Sequence, residues 1–192
     1  MRPARELKEV FTAEQIRQRI TELGQTITRD YEAIERPLIM IAMLKGSLYV
    51  LSDLSRAVNI PVSYDLLAIS QKKGVTHTSS IVITRDIELD IKGRDVLIVE
   101  DIVRSGFTTQ FMYQHLLQKQ PNSLKVMTML FCPERQLITL PLAYIGFEID
   151  DIRLIGYGLD FRERGRNIPA ICELNVSALL ASMDHLDDPK PD

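Results

Sequence analysis

The run PLIMIAML, residues 37–44, is apolar throughout and shows no alternation. A strand with one face in water alternates polar and apolar residues; a short unbroken apolar run fits a strand buried on both faces, the usual state of a parallel strand with helices on either side. Lys45-Gly46-Ser47 follows, then LYVLSDLSRAV, in which Leu48, Leu51, Leu54 and Val58 repeat at helical spacing. The same strand-then-helix sequence recurs at VLIV (96–99) and TTQFMYQHLLQKQ (108–120), with Thr108 a candidate N-cap. Further strands are predicted at 61–70, 80–87, 124–132, 143–149 and 152–159, and a first helix opens on a capping box at Thr12 and Gln15. Strands alternating with helices imply an α/β fold with a mainly parallel sheet.

With 192 residues, no internal repeat and no low-complexity linker, the chain is read as a single domain over 1–192. Its net charge of −3 argues against a general nucleic-acid binder. No apolar stretch reaches membrane-spanning length, and MRPARELKEVF lacks a signal-peptide core, so a cytoplasmic protein is expected. Cys132 and Cys172 match no metal or disulfide spacing and are expected to be reduced, buried thiols. His77, His115 and His185 are scattered, His115 inside a helix. Met127, Met129 and Phe131 alternate along a strand and are expected in the core. The polar, Gly-containing segment Gln71 to Ser79 reads as a mobile loop, and residues 183–192 as a frayed tail.

Chemistry concentrates in VLIVEDIVRSGFTT, residues 96–109. Four apolar residues carry Glu100 and Asp101 to a strand's carboxyl end, where α/β folds place their ligands. Ser105-Gly106-Phe107-Thr108 then opens a helix, whose backbone N–H groups, hydroxyls and dipole suit an anion. Acids beside an anion site fit a sugar phosphate, with phosphate on the loop and the sugar diol, or a magnesium ion, on the carboxylates.

This stretch resembles the phosphoribosyl diphosphate signature of type I phosphoribosyltransferases. Together with residues 44–70, GFEID (146–150) and GYGLDFRERGRNIPAI (156–171), it is similar to hypoxanthine-guanine phosphoribosyltransferases over about residues 8–175. The resemblance implies the type I phosphoribosyltransferase fold, a mainly parallel sheet flanked by helices with a small hood. It implies purine salvage by transfer from phosphoribosyl diphosphate to a purine base with loss of pyrophosphate, Mg2+ as cofactor, and a homodimer or homotetramer. By matching position, Glu100 and Asp101 hold the ribose diol and stand near the metal. Ser105, Gly106, Phe107 and Thr108 hold the 5'-phosphate with Thr109 close by. Lys45 and Gly46 form the pyrophosphate turn, in which Leu44–Lys45 is often cis. Asp160 matches the magnesium-associated aspartate and Arg166 the arginine that meets pyrophosphate.

The departures lie on the base side. Arg104 occupies the position of the family's aspartate general base, Cys132 that of the lysine for the purine 6-oxygen, and Arg153, next to Leu154, that of the stacking aromatic. Ser70-Gln71-Lys72 replaces the lid's Ser-Tyr pair. Arginine stays protonated and cannot act as a base. Arg104 and Arg153 either face an anionic partner or turn outward. Two functions therefore stay open: purine salvage, and a catalytically inactive or repurposed relative that binds phosphoribosyl diphosphate or a nucleoside monophosphate without transfer.

Overall fold

The structure is a computed structural model that describes residues 7–73 and 79–174. Helix α1 (Ala13–Asp30) begins with the expected capping box: Gln15 N–H donates to Thr12 Oγ1 at 3.1 Å and Thr12 N–H to Gln15 Oε1 at 2.9 Å. Strand β2 (Leu38–Leu44) leads into α2 (Leu48–Ala57), β3 (Val62–Lys73) and β4 (Ser79–Arg85). Strand β5 (Asp95–Val103), helix α3 (Phe107–Leu117), β6 (Ser123–Phe131), a 3-10 turn (Pro133–Arg135) and β7 (Leu142–Glu148) complete the main layer. The strands lie in the order β4-β3-β2-β5-β6-β7, parallel except for β4, which pairs antiparallel with β3.

The unbroken apolar runs now have their physical reason. Leu38, Met40 and Ala42 of β2, with Leu97 and Val99 of β5, face a core shared with Ile16, Ile20, Leu23 and Ile27 of α1 and Leu51 and Leu54 of α2. Ile39, Ile41, Val96 and Ile98 point the other way, toward Met112 and Leu116 of α3. Both faces are covered, so neither has a polar set. Met127 and Met129 are buried in the first core, as expected.

A second, antiparallel sheet in the order β1-β9-β8 is built from β1 (Leu7–Phe11), β8 (Leu154–Ile155) and β9 (Ile171–Leu174), and forms the hood. It departs from the sequence reading. Strands β1 and β9 were not anticipated, and IRLIGYGL is not one strand. After Ile155 the chain turns, with φ of 102° at Gly156, 47° at Tyr157 and 96° at Gly158, so only two of those residues pair as strand. The predicted loop 71–79 is also shorter, because β3 runs to Lys73 and β4 starts at Ser79. His77, His185 and the predicted tail lie outside the described residues. Thr108 is not the N-cap of α3; Gly106 is, at φ 86°, and Thr108 sits in the first turn. Cys132 and Cys172 are both free and buried. Among the described residues no helix is long and apolar enough to cross a membrane.

Candidate active site

Strands β2 and β5 are neighbours, and the helices that follow them go to opposite faces of the sheet. That crevice, at the carboxyl ends of parallel strands, is where a doubly covered sheet leaves room for a ligand. The turn after β2 supplies Lys45, Gly46 and Ser47, and the Leu44–Lys45 peptide is cis. The end of β5 supplies Glu100 and Asp101, and the loop after it Arg104, Ser105 and Gly106.

Close backbone contact joins these pieces. A Cβ on Gly46 would collide with the Asp101 carboxylate, and one on Gly158 would collide with the Gly46 carbonyl. Glycine is therefore required at both positions for the turn, the acid pair and the GYGLD segment to meet. Ser47, which the sequence reading passed over, is fully buried beneath this junction. Its Oγ accepts the Asp101 N–H at 3.1 Å and has one proton to give, with Asp101 Oδ1 at 3.3 Å nearer than Glu100 Oε2 at 3.5 Å. Nothing in the local sequence marks it; its role comes from the pairing of β2 with β5.

Glu100 is completely buried, and its other oxygen accepts from Thr109 Oγ1 at 3.1 Å. Burial, reinforced by the charge of Asp101, pushes the Glu100 carboxyl up to about 8, although hydrogen bonds from Thr109 and Ser47 oppose the rise. Near neutrality this glutamic acid carries its proton. Asp101 is also raised by burial, against its own amide, the Ile102 amide, Ser47 and the nearby Arg166. Thr109, expected beside a phosphate, spends its hydroxyl on Glu100.

A cavity of about 300 Å³ opens over this pair, lined by Glu100, Asp101, Arg104, Ser105, Gly106 and Thr108 among others. Gly106, the N-cap of α3 at φ 86°, lines it with Thr108 of the first turn, so the helix start stands at the cavity wall, whereas Phe107, half exposed, does not line it. Beside it lies a second cavity of about 420 Å³, whose walls include Arg104, Arg135, Asp151, Arg153, Leu154 and Asp160. Arg104 lines both. Its guanidinium donates to Asp151 Oδ1 at 3.0 Å and to the Ile152 carbonyl, tying the β5–α3 loop to the segment before β8. Arg135 approaches the other oxygen of Asp151 at 3.5 Å. Arg153 is exposed and has no carboxylate partner among the described residues. Cys132, placed by the sequence reading at the base-recognition position, is fully buried in the main core and lines neither cavity.

The remaining predicted residues form a charged network. Lys45 Nζ lies 2.9 Å from Glu163 Oε2. Arg166 lies 2.8 Å from Asp160 Oδ1 and 3.4 Å from Glu163, and donates to the Gly158 carbonyl at 2.8 Å. Asp160 Oδ2 accepts the Glu163 N–H at 2.8 Å. Glu163 is presented by a two-residue hairpin turn: Arg162 and Glu163 have φ of 53° and 62°, and Phe161 and Arg164 exchange backbone hydrogen bonds.

Comparison with known proteins fits this arrangement. The family model of the phosphoribosyl transferase domain matches residues 6–162. The hypoxanthine-guanine phosphoribosyltransferase of Mycobacterium tuberculosis is 40% identical over 171 residues, 86% of this chain and 85% of that protein. The hypoxanthine phosphoribosyltransferase of Escherichia coli is 37% identical over 158 residues, 82% of this chain and 89% of that protein. Among solved structures, the Trypanosoma cruzi hypoxanthine phosphoribosyltransferase in complex with the product IMP superposes with a TM-score of 0.84 at 32% identity, covering 92% of this chain and 99% of that one. A Bacillus anthracis hypoxanthine-guanine phosphoribosyltransferase gives 0.82 at 36% identity, over 88% of this chain and 99% of that one. With its two sheets, its acid pair and its anion-ready helix start, the chain belongs to the hypoxanthine-guanine phosphoribosyltransferase family.

Proposed function

We propose that this chain is a purine-salvage phosphoribosyltransferase, moving the phosphoribosyl group of phosphoribosyl diphosphate to a ring nitrogen of a purine base and releasing diphosphate. The observation that carries the reading is the meeting of four separate stretches at one sheet edge: Lys45-Gly46, Glu100-Asp101, Ser105 to Thr108, and Asp160 to Arg166. In this reading the α3 N-terminus and the Ser105 and Thr108 hydroxyls hold the 5'-phosphate. Asp101 and the protonated Glu100 take the ribose hydroxyls, one accepting and one able to donate. Lys45 and Arg166 face the diphosphate.

Magnesium belongs to the same reading. Among the described residues no three His, Cys, Asp or Glu side chains converge to cage a metal ion. Asp160, in the wall of the larger cavity, and Asp101, in that of the smaller one, are carboxylates of the kind that would suit an ion held mainly by water and phosphate oxygens. Bound there, magnesium would neutralise charge developing on the diphosphate. A single domain, a cytoplasmic location and a homodimer or homotetramer complete the proposal.

A second reading, ligand binding without transfer, is favoured by Arg104, whose fixed positive charge occupies the proton-accepting position. General-base help is worth on the order of 10²–10⁴ in rate, so its loss would be plain in an assay. Diphosphate release from phosphoribosyl diphosphate with hypoxanthine or guanine, run beside calorimetric binding of phosphoribosyl diphosphate, separates the two. Release supports transfer; binding without release under any acceptor supports the binder.

A further inference from the structure

The 420 Å³ cavity touches the 300 Å³ phosphate-side cavity at one shared residue, Arg104. If the sugar phosphate fills the smaller one, the reacting carbon sits at their junction and the larger one receives the acceptor; this inference rests on the transferase reading above. The charge of that larger cavity is unusual for a neutral base. Three guanidiniums, Arg104, Arg135 and Arg153, line it against the carboxylates of Asp151 and Asp160. Asp160 is already paired with Arg166 at 2.8 Å. Asp151 alone is left to serve Arg104 and Arg135, and Arg153 has no carboxylate among the described residues. A positive surplus therefore faces the place where the acceptor enters.

The geometry points to an acceptor that arrives as an anion: an oxidised purine whose ring N–H is dissociated near neutral pH. Such a base explains both oddities with one cause. It complements the guanidiniums, and its negative charge lets a ring nitrogen attack without first losing a proton, so a general base at position 104 is unnecessary. The step balances without one. A lone pair on an unprotonated ring nitrogen of the anion forms the bond to the anomeric carbon. The bond from that carbon to the diphosphate oxygen breaks, and its electron pair leaves with diphosphate. The negative charge passes from acceptor to leaving group, and the base is neutral in the nucleotide. A neutral hypoxanthine in the same place would need its N–H proton removed, with a guanidinium where the acceptor of that proton should be.

The test measures diphosphate release from magnesium phosphoribosyl diphosphate with four acceptors: urate and xanthine, which ionise in the ring, and hypoxanthine and guanine, which stay neutral. The expected result is a kcat/KM for urate or xanthine about 100-fold or more above that for the neutral pair, the size expected of a lost charge complement and proton acceptor together. Arg153→Gln, at an exposed side chain with no carboxylate partner among the described residues, should lower that value on the order of 10-fold and leave phosphoribosyl diphosphate affinity unchanged. Arg104→Asp should shift preference toward hypoxanthine. Turnover of hypoxanthine or guanine at rates equal to or above the anionic bases would overturn the inference and leave the transferase reading standing. Absence of release with all four bases, while phosphoribosyl diphosphate still binds, would overturn both.

Discussion

Glu100 shows how one residue's surroundings reach the behaviour of the whole chain. It is buried at a site where hydroxyls, not cations, meet its oxygens, and its carboxyl is raised to about 8. In the unfolded chain an ordinary glutamate releases its proton near 4.5. Between about 4.5 and about 8 the folded form binds a proton that the unfolded form has lost, so stability falls as pH rises through that window and levels off above it. Urea unfolding of the ligand-free protein across this range should show that decline, and Glu100→Gln should flatten it. An equal slope in the variant would mean that the burial is not felt as described. The acid pair itself was legible from VLIVED; its protonation was not, because that depends on how completely the packed elements bury Glu100 beside Asp101.

Elements carry the next level of information. Helix α3 is held to the sheet by Met112 and Leu116 and, at its C-terminal end, by Asp86, which receives His115 at 2.9 Å and Lys119 at 2.9 Å. Burial alone would raise the Asp86 carboxyl, but the hydrogen bonds from Lys119, His115 and the Ile87 amide outweigh it and hold it near about 2. Its contribution is therefore present above the ordinary carboxylate range and lost as pH falls toward about 2. Because the group is partly exposed, Asp86→Asn should cost only about 1 kcal/mol in chemical denaturation, with a smaller acid-induced loss than wild type. Elements with an unbroken apolar run were readable because burial on both faces leaves its mark on every residue. Strands β1 and β9 were not. They are short and join the two ends of the described chain, Leu7 opposite Leu174, with no local pattern to announce it. The GYGLD turn was misread because its apolar letters hide backbone that must adopt positive φ.

At the scale of the whole molecule, the hood is tied to the main layer at a few defined points. The rings of Phe11 in β1 and Phe147 in β7 stack with centroids 4.0 Å apart and planes 16° apart. Gly158 closes on Gly46, and Arg104 reaches Asp151 and Ile152. Phe11→Ala should lower unfolding free energy by about 2–3 kcal/mol, less than a fully buried phenylalanine because this one is partly exposed. If hood and sheet fold as one unit, the loss should appear as a shifted single transition seen equally by fluorescence and circular dichroism. Two transitions would show that the hood melts by itself.

The network of Lys45, Arg166 and Glu163 has a consequence for how a ligand gets in. Glu163 rests against both cations proposed to receive the diphosphate, so a negative side chain of the protein's own already stands where that proposal puts the ligand. An incoming polyanion does not find bare charges; it must evict a resident rival, and every rim contact it gains is one the glutamate gives up. Glu163→Asn removes that rival while keeping a residue at ease with the left-handed turn. The variant should bind inorganic diphosphate more tightly than wild type in calorimetry, with the difference shrinking as salt is added. Unchanged affinity would show that the glutamate swings aside at no cost and that this side chain bars nothing.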